Sequence, residues 1–502
     1  MRLPRPRRWR FPSRRRADEV AVPPAWRSIG VLVTFAVAGG AIAIGLPVEG
    51  SRDVVAVEAG PGASETGPGP DGGGRSTTTP LGDRADLPGD QPALECAAGR
   101  NGGDTDTGVT ASEIKLGATV VDSGIGASFL RDARYGMLAV VNQVNRAGGI
   151  CGRTLRLSLV DDGWDFQRGQ AFIRSLVEEE NVFALLVVPS SEGLKAASSS
   201  GYFEREQVPV VGSDGMLVHQ YTDPFIWPVA ASTLSTMHVM AKHAFDEFGA
   251  TKFGIVYEHD YHFGIEGAFA FNAAVKRLTG DDIPGYSNPL HDPRCQEQFC
   301  GIRSGQDSYA TQIQTFNSSC GCDFVALLLE PETALVWMGG GGLQPSESVH
   351  MGGVQPLFTR HFAEGCAKAC DGLWLWTGFH PPIGSNLGRP GIARFVEDIK
   401  RTRETADYTN TFVQGAYVGA TLLVQALRAV GPLLTRERLM AELDRTLLRT
   451  SLTDPLRWSP GSHFANVRMR AYSIQYKGRF NGWRDERTSV RDPWVGKDIP
   501  PE

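Results

Sequence analysis

The chain has 502 residues, of which 41% are hydrophobic and 21% charged, and its net charge is -6. That length allows two or three domains with real cores, and the composition is that of ordinary globular protein. The arginines crowd at the N-terminus, so the remainder is more acidic than the total shows, which argues against nucleic-acid binding.

Nine arginines lie between Arg2 and Arg27, and 21 uncharged residues follow from Ser28 to Val48. Moving clustered arginines across a bilayer is costly, so the head, 1–27, is expected to stay in the cytoplasm and everything beyond Pro47 to lie outside. The run IGVLVTFAVAGGAIAIGL, Ile29 to Leu46, is at the short limit of a membrane span, which places a single-pass anchor at 28–47. A cleaved secretory signal is the alternative, with Ile29 to Ala38 as its apolar core and Ala41-Ile42-Ala43 as a small-residue cleavage site, and it would make the protein secreted.

From Glu49 to about Asp106 the composition is dominated by Gly, Pro, Ser, Thr and Asp, as in GPGASETGPGPDGGGRSTTTP. It holds too few large apolar residues for a core, so 48–108 is expected to be a disordered linker. All eight cysteines, Cys96, Cys151, Cys295, Cys300, Cys320, Cys322, Cys366 and Cys370, lie beyond the apolar run. An even number in an oxidising compartment fits up to four disulfides, with Cys96–Cys151, Cys366–Cys370 and two bridges within the other four as the expected set. Zinc is the alternative, although Cys320-Gly-Cys322 and the Cys366–Cys370 spacing are not the paired CxxC of a zinc ribbon.

From Val109 to about Val490 strand-like and helix-like segments alternate, which implies an α/β fold. Glu113 to Val121 (EIKLGATVV) alternates as a strand. A helix is predicted over Arg131 to Asn145, with Ala133, Met137, Val140, Val141 and Val144 on one face and Gly148-Gly149 as its stop. Thr154 to Val160 (TLRLSLV) closes a right-handed βαβ unit. Further strands are predicted at Phe183 to Val188, Val208 to Val211, Phe253 to Tyr257, Phe324 to Leu329 and Leu373 to Trp376, all nearly apolar as buried parallel strands are. They run into PSSEG, GSDG, EHDYHFG, EPE and TGFHPP, and open α/β sheets bind ligands beyond such ends.

The phrases GVTASEIKLG, Gly108 to Gly117, and NRAGGICG, Asn145 to Gly152, resemble the extracytoplasmic solute-binding proteins of ABC transporters, in the branch of the branched-chain amino-acid (Leu/Ile/Val) binding proteins. The resemblance implies the type I periplasmic-binding-protein fold, two doubly wound parallel-sheet lobes joined by three hinge crossings, over 109–490. Lobe one would take about 112–231 and 381–451, and lobe two about 232–380 and 454–490. A small polar solute would be held between the lobes and handed to ABC permease subunits by a monomeric binding domain with no cofactor.

The resemblance also implies the site. Ser123 and Phe129 follow the first strand, where relatives present a hydroxyl and an aromatic. Ser190 and Ser191 resemble a serine-rich loop that holds a ligand carboxylate at a helix N-terminus. Ser213 falls in a small-residue cluster, in which Asp214 is a departure. Lobe two offers Tyr261, and Phe263 where relatives carry a tyrosine. The acidic partner of an amino-acid ammonium is missing near Thr359-Arg360-His361, so Asp214 or Glu330 would have to supply the charge, while Arg360 would suit an anion. Trp164, Trp376 and Phe379 sit near strand ends as a stacking wall or as core.

An enzyme is the rival of another class, but no G-x-S-x-G elbow, H-E-x-x-H or phosphate loop occurs and the ten histidines have no ligand spacing. A membrane-tethered sensor acting through a partner signalling protein is the second alternative, since the same bilobed fold serves as a receptor ectodomain.

Overall fold

The computed structural model describes Arg52–Asp53, Cys96, residues 100–284, Tyr286 and residues 301–500. The basic head, the apolar run 28–47, most of the linker, and Cys295 and Cys300 lie outside the described residues. Among the described residues no helix is long and apolar enough to cross a membrane.

Two sheets organise the chain. The first lobe runs β1 (Arg52–Asp53), β2 (Glu113–Val120), α1 (Ala127–Leu130), α2 (Ala133–Arg146), β3 (Thr154–Asp161), α3 (Phe166–Arg174), β4 (Ala184–Val188), α4 (Ser191–Ser199), α5 (Tyr202–Glu206), β5 (Val210–Ser213), α6 (His219–Thr222) and β6 (Ile226–Trp227). Its strand order is β1-β3-β2-β4-β5-β6, parallel except at the β1 edge. The second lobe runs α7 (Thr233–Glu247), β7 (Phe253–Tyr257), α8 (His262–Thr279), α9 (Ala310–Ser319), β8 (Phe324–Leu328), α10 (Pro331–Gly339), β9 (His350–Gly353), α11 (Arg360–Cys366) and β10 (Trp374–Thr377). The chain then returns to lobe one as α12 (Pro390–Thr402), α13 (Thr411–Val430) and α14 (Arg436–Leu443). A short ribbon, β11 (Leu447–Leu448) with β12 (Leu456–Arg457), precedes β13 (Arg468–Tyr476) and β14 (Phe480–Arg491). These last two complete the second sheet, β14-β13-β10-β9-β8-β7, antiparallel at the β13 and β14 side and parallel elsewhere.

The apolar face of α2 is buried against α13, and the two helices approach closely because Gly136 carries no side chain: a Cβ there would sit 2.3 Å from the Val413 carbonyl oxygen. Gly148 and Gly149 end α2 with φ of 93° and 75°, the left-handed backbone that glycine adopts without a steric cost. Central strands such as β8 are buried at every residue, because helices cover both faces.

Three passes of chain join the lobes, at 228–232, 378–389 and 458–467, and hydrogen bonds tie them together. Asn466 Nδ2 donates to Val229 O at 3.0 Å and to Gly378 O at 3.2 Å, so one buried amide touches all three. Trp458 Nε1 adds a bond to Pro228 O at 2.9 Å.

The end of the stretch read as linker is held on lobe one. Cys96 is bonded to Cys151, Arg153 donates to the carbonyls of Asn101 and Gly103, and Arg436 N donates to Asp106 Oδ2 at 2.7 Å. Polar backbone with little apolar content can still be ordered when a buried guanidinium and a disulfide hold it. The other described bridges are Cys320–Cys322 and Cys366–Cys370. Among the described residues no group of three or more His, Cys, Asp or Glu is placed to hold a metal ion.

Candidate functional site

The carboxyl ends of both sheets face one cleft. Lobe one contributes Asp162 to Trp164 after β3, Ser190 and Ser191 after β4, and Ser213 and Asp214 at the end of β5. Lobe two contributes Glu258 to Phe263 after β7 and Glu330 after β8.

Trp164 is the hub. Its indole is 1% exposed and stacks on Tyr261 of the other lobe, with ring centroids 4.5 Å apart and planes 12° from parallel. Phe263 lies at 5.8 Å and Phe129 stands edge-on at 5.3 Å, with Phe412 behind Phe129 at 5.5 Å. The indole Nε1 donates to Ser191 Oγ at 3.2 Å, and the Trp164 backbone N donates to Asp162 Oδ1 at 2.9 Å.

The first turn of α4 would be free to take an anion, because its N–H groups have no helical partner. Here the chain's own carboxylate is on it: Asp214 Oδ2 accepts from Ser191 N at 3.0 Å. Asp214 Oδ1 accepts from Met216 N at 3.1 Å and from Gln220 Nε2 at 2.7 Å, and Gln220 Oε1 in turn accepts from Ser213 Oγ at 2.7 Å. Burial pushes the Asp214 carboxyl up to about 6 against these bonds. Asp162, also buried, is pushed to about 7 by burial, while Trp164 N and the hydroxyls of Ser190 and Thr119 oppose the rise.

On lobe two, Glu330 caps α10, accepting from Thr333 N at 2.5 Å and Glu332 N at 2.7 Å, and its own N donates to Glu258 Oε1 at 3.1 Å. Burial, with Glu330 beside it, holds the Glu258 carboxyl well above the usual range, and burial raises Glu330 too.

Polar pairs bridge the lobes around this core. Glu192 at the start of α4 accepts from His262 N at 3.0 Å, and its other oxygen lies 2.6 Å from His262 Nδ1. Lys195 Nζ donates to Glu266 Oε1 at 3.2 Å, and Val218 N donates to Glu266 Oε2 at 2.8 Å. With the lobes so engaged, the void beside Asp214, Gln355 and Thr411 measures about 10 Å³, room for at most one water. A much larger open groove of about 820 Å³ lies at the rim, where Arg131 and Asp407 of lobe one face Glu332 and Arg360 of lobe two.

Of the residues singled out from the sequence, Phe129, Ser191, Tyr261 and Phe263 meet at Trp164, and Ser190, Ser213 and Asp214 lie just behind it. Glu330 is buried nearby with its carboxylate committed to the α10 cap. Ser123 and Arg360 stand apart. Ser123 is exposed, 3.5 Å from Arg168 Nη2, and Arg360 pairs with Glu364 at 2.8 Å on the rim. His262 is half-buried against Glu192. Glu192, Lys195, Glu266 and Asp162 escaped the sequence reading. An acidic residue in the first turn after a strand, as in PSSE, was the available signal for Glu192.

Two α/β lobes whose strand ends face a shared cleft, joined by three bonded crossings, define a two-lobed binding protein of the hinge-closing kind. Residues 113–479 match the family model for periplasmic binding proteins, and the chain belongs to that family. No curated protein matches the chain. Similar solved structures include a fatty acid ABC transporter substrate-binding protein from Thermomonospora curvata, with 18% identity, a TM-score of 0.63, and coverage of 79% of this chain and 97% of that one. A solute-binding protein of an ABC transporter from R. palustris, in complex with 4-hydroxybenzoate, has 15% identity, a TM-score of 0.62, and coverage of 76% and 98%. The branched-chain amino acid transporter substrate binding protein from Streptococcus pneumoniae, in complex with isoleucine, has 13% identity, a TM-score of 0.59, and coverage of 76% and 100%.

Proposed function

We propose that the protein is an extracytoplasmic solute-binding protein that captures a small polar solute between its lobes and delivers it to an ABC permease. The observation that carries this reading is the cleft itself: strand ends from both sheets converge there, and Asn466 bonds the crossings about which the lobes would turn. Solute-binding proteins work by such closure, since the closed form is the one a permease can distinguish. The Arg-rich head and apolar run support a place outside the cytoplasm, with the N-terminal segment as anchor. Family membership supports binding rather than catalysis.

A thermal-shift screen of the full-length protein against amino acids, amides, short carboxylates and heteroaromatic bases tests the reading. A captured solute raises the melting temperature by mass action, in proportion to the logarithm of its concentration above Kd. A screen in which no class raises it, alongside capture of a protein partner instead of permease subunits, would sink solute delivery.

A further inference from the structure

Trp164 adopts a φ of 63°, directly after Gly163 at 60°. Two successive left-handed residues, the second aromatic, are held only where the surroundings over-determine them. The surroundings here belong to both lobes: a stacked Tyr261, a tilted Phe263, an edge-on Phe129, and the Ser191 hydroxyl accepting the indole N–H at 3.2 Å. Flat rings above and beside a slot, with one acceptor at its edge, are what a cleft would offer a planar ligand carrying one hydrogen-bond donor. The chain supplies that ring itself, and beside it supplies the carboxylate on α4 through Asp214. Behind Asp214, the void lined by Pro189, Gln355, Thr411 and Phe412 is only about 10 Å³, so no solute fits there.

We infer that Trp164 is a built-in occupant of the solute cleft: the lobes close on its indole when no solute is present, and the solute that displaces it is a flat, nitrogen-bearing aromatic ring without a carboxylate. This rests on the capture reading above and narrows it. The glycine before Trp164 gives the indole a backbone on which to swing out, and leaving the cleft relieves the left-handed conformation. An anionic ligand is disfavoured because its seat on Ser191 N is already taken by a buried acid. The Glu192–His262 and Lys195–Glu266 pairs hold the two lobes together on either side of the indole.

The test titrates full-length wild type, W164A and W164F with indole, benzimidazole, benzofuran, benzoate and leucine. Melting temperature is read together with tryptophan emission, excited at the red edge of the indole band where benzimidazole does not absorb. W164A is expected to bind indole and benzimidazole about tenfold tighter than wild type, and about tenfold tighter than benzofuran, which has the shape of indole but no donor for Ser191. W164F keeps a ring in the slot and should retain the weak affinity of wild type. Saturating benzimidazole should shift wild-type emission to the red as the indole reaches water, with no such shift in W164F. A W164A protein that takes benzofuran as readily as indole has only an apolar core void, and the inference falls. It falls equally if wild type binds benzimidazole with unchanged emission. Leucine or benzoate stabilising wild type with Trp164 undisturbed would refute the inference while solute capture stands, and no stabilisation by any of the five compounds in any form would overturn the inference, solute capture itself falling only with the failed broad screen described above.

Discussion

Asp162→Asn changes how stability depends on pH, and the structure sets the size of the effect. Asp162 is fully buried at the end of β3, and burial raises its carboxyl from 3.8 to about 7 although Trp164 N donates to it at 2.9 Å. Between those two values the folded protein holds a proton that the unfolded chain has released, so stability falls as pH rises through the window. The rise is about 3 units, and at about 1.36 kcal/mol each the full swing is about 4 kcal/mol. Asparagine keeps an oxygen for Trp164 N and offers its NH₂ to the hydroxyls of Thr119 and Ser190, but it does not titrate. Urea unfolding of wild type and variant from about pH 4 to about pH 8 isolates the Asp162 proton, since other groups cancel in the difference. The variant should gain on wild type steadily with pH, by up to about 4 kcal/mol near pH 8. A difference that stays flat across the range would show that Asp162 has the same protonation in both states, and the argument from burial would be refuted.

Much of the scaffold was legible because strand and helix periods differ. Phe253–Tyr257 has the bounds read from its apolar run, and Ala133, Met137, Val140, Val141 and Val144 are all buried on α2. The strand His350–Gly353 was not visible, since HMGG has no β-branched residue and two glycines. It is a strand because its neighbours on both sides are, and Gly352 is required where a Cβ would come within 2.7 Å of the Trp376 ring. Phe480–Arg491 was missed for the opposite reason, its exposed, charge-rich sequence showing little of the alternation a half-buried strand displays. In the cleft, the loops could be found from the strand ends, and the resemblance to the binding-protein family is what singled out Ser191, Asp214 and Tyr261 within them. Their partners could not, because a bond such as Asp214 to Ser191 N depends on how two loops 23 residues apart are aimed. Arg360 was read as an anion ligand, but Glu364 stands one helical turn on, and a pair at that spacing competes for the guanidinium.

The crossings and the tail are equally open to test. Asn466→Ala leaves the buried carbonyls of Val229 and Gly378 without their shared donor, which should cost about 1–3 kcal/mol in urea unfolding; no loss would mean that water or a shifted strand replaces it. The double change Cys96→Ser with Cys151→Ser opens a loop with a sequence separation of 55, and the chain-entropy relation puts its cost at up to about 4 kcal/mol. Reducing agent should lower the stability of wild type by more than that of the variant, which keeps only the short-range Cys320–Cys322 and Cys366–Cys370 bridges among those described; equal losses would refute the assignment. His238→Gln addresses the tail, where His238 Nδ1 lies 3.1 Å from Asp492 Oδ1 and Nε2 lies 3.0 Å from Asp498 Oδ2. Both ring nitrogens face carboxylates, so both must carry a proton. Burial opposes that charge, but the bonds to Asp492 and Asp498 outweigh it and raise the histidine above 6.5, while the same contacts and Arg277 hold Asp498 at about 2 against its own burial. A raised histidine contributes stability that is complete below the unfolded value and is lost as pH climbs through the folded one. The advantage of wild type over His238→Gln should therefore be constant below 6.5 and shrink as pH rises from there. An advantage that persists unchanged to alkaline pH would mean the ring is neutral, with one carboxylate instead holding the proton between them.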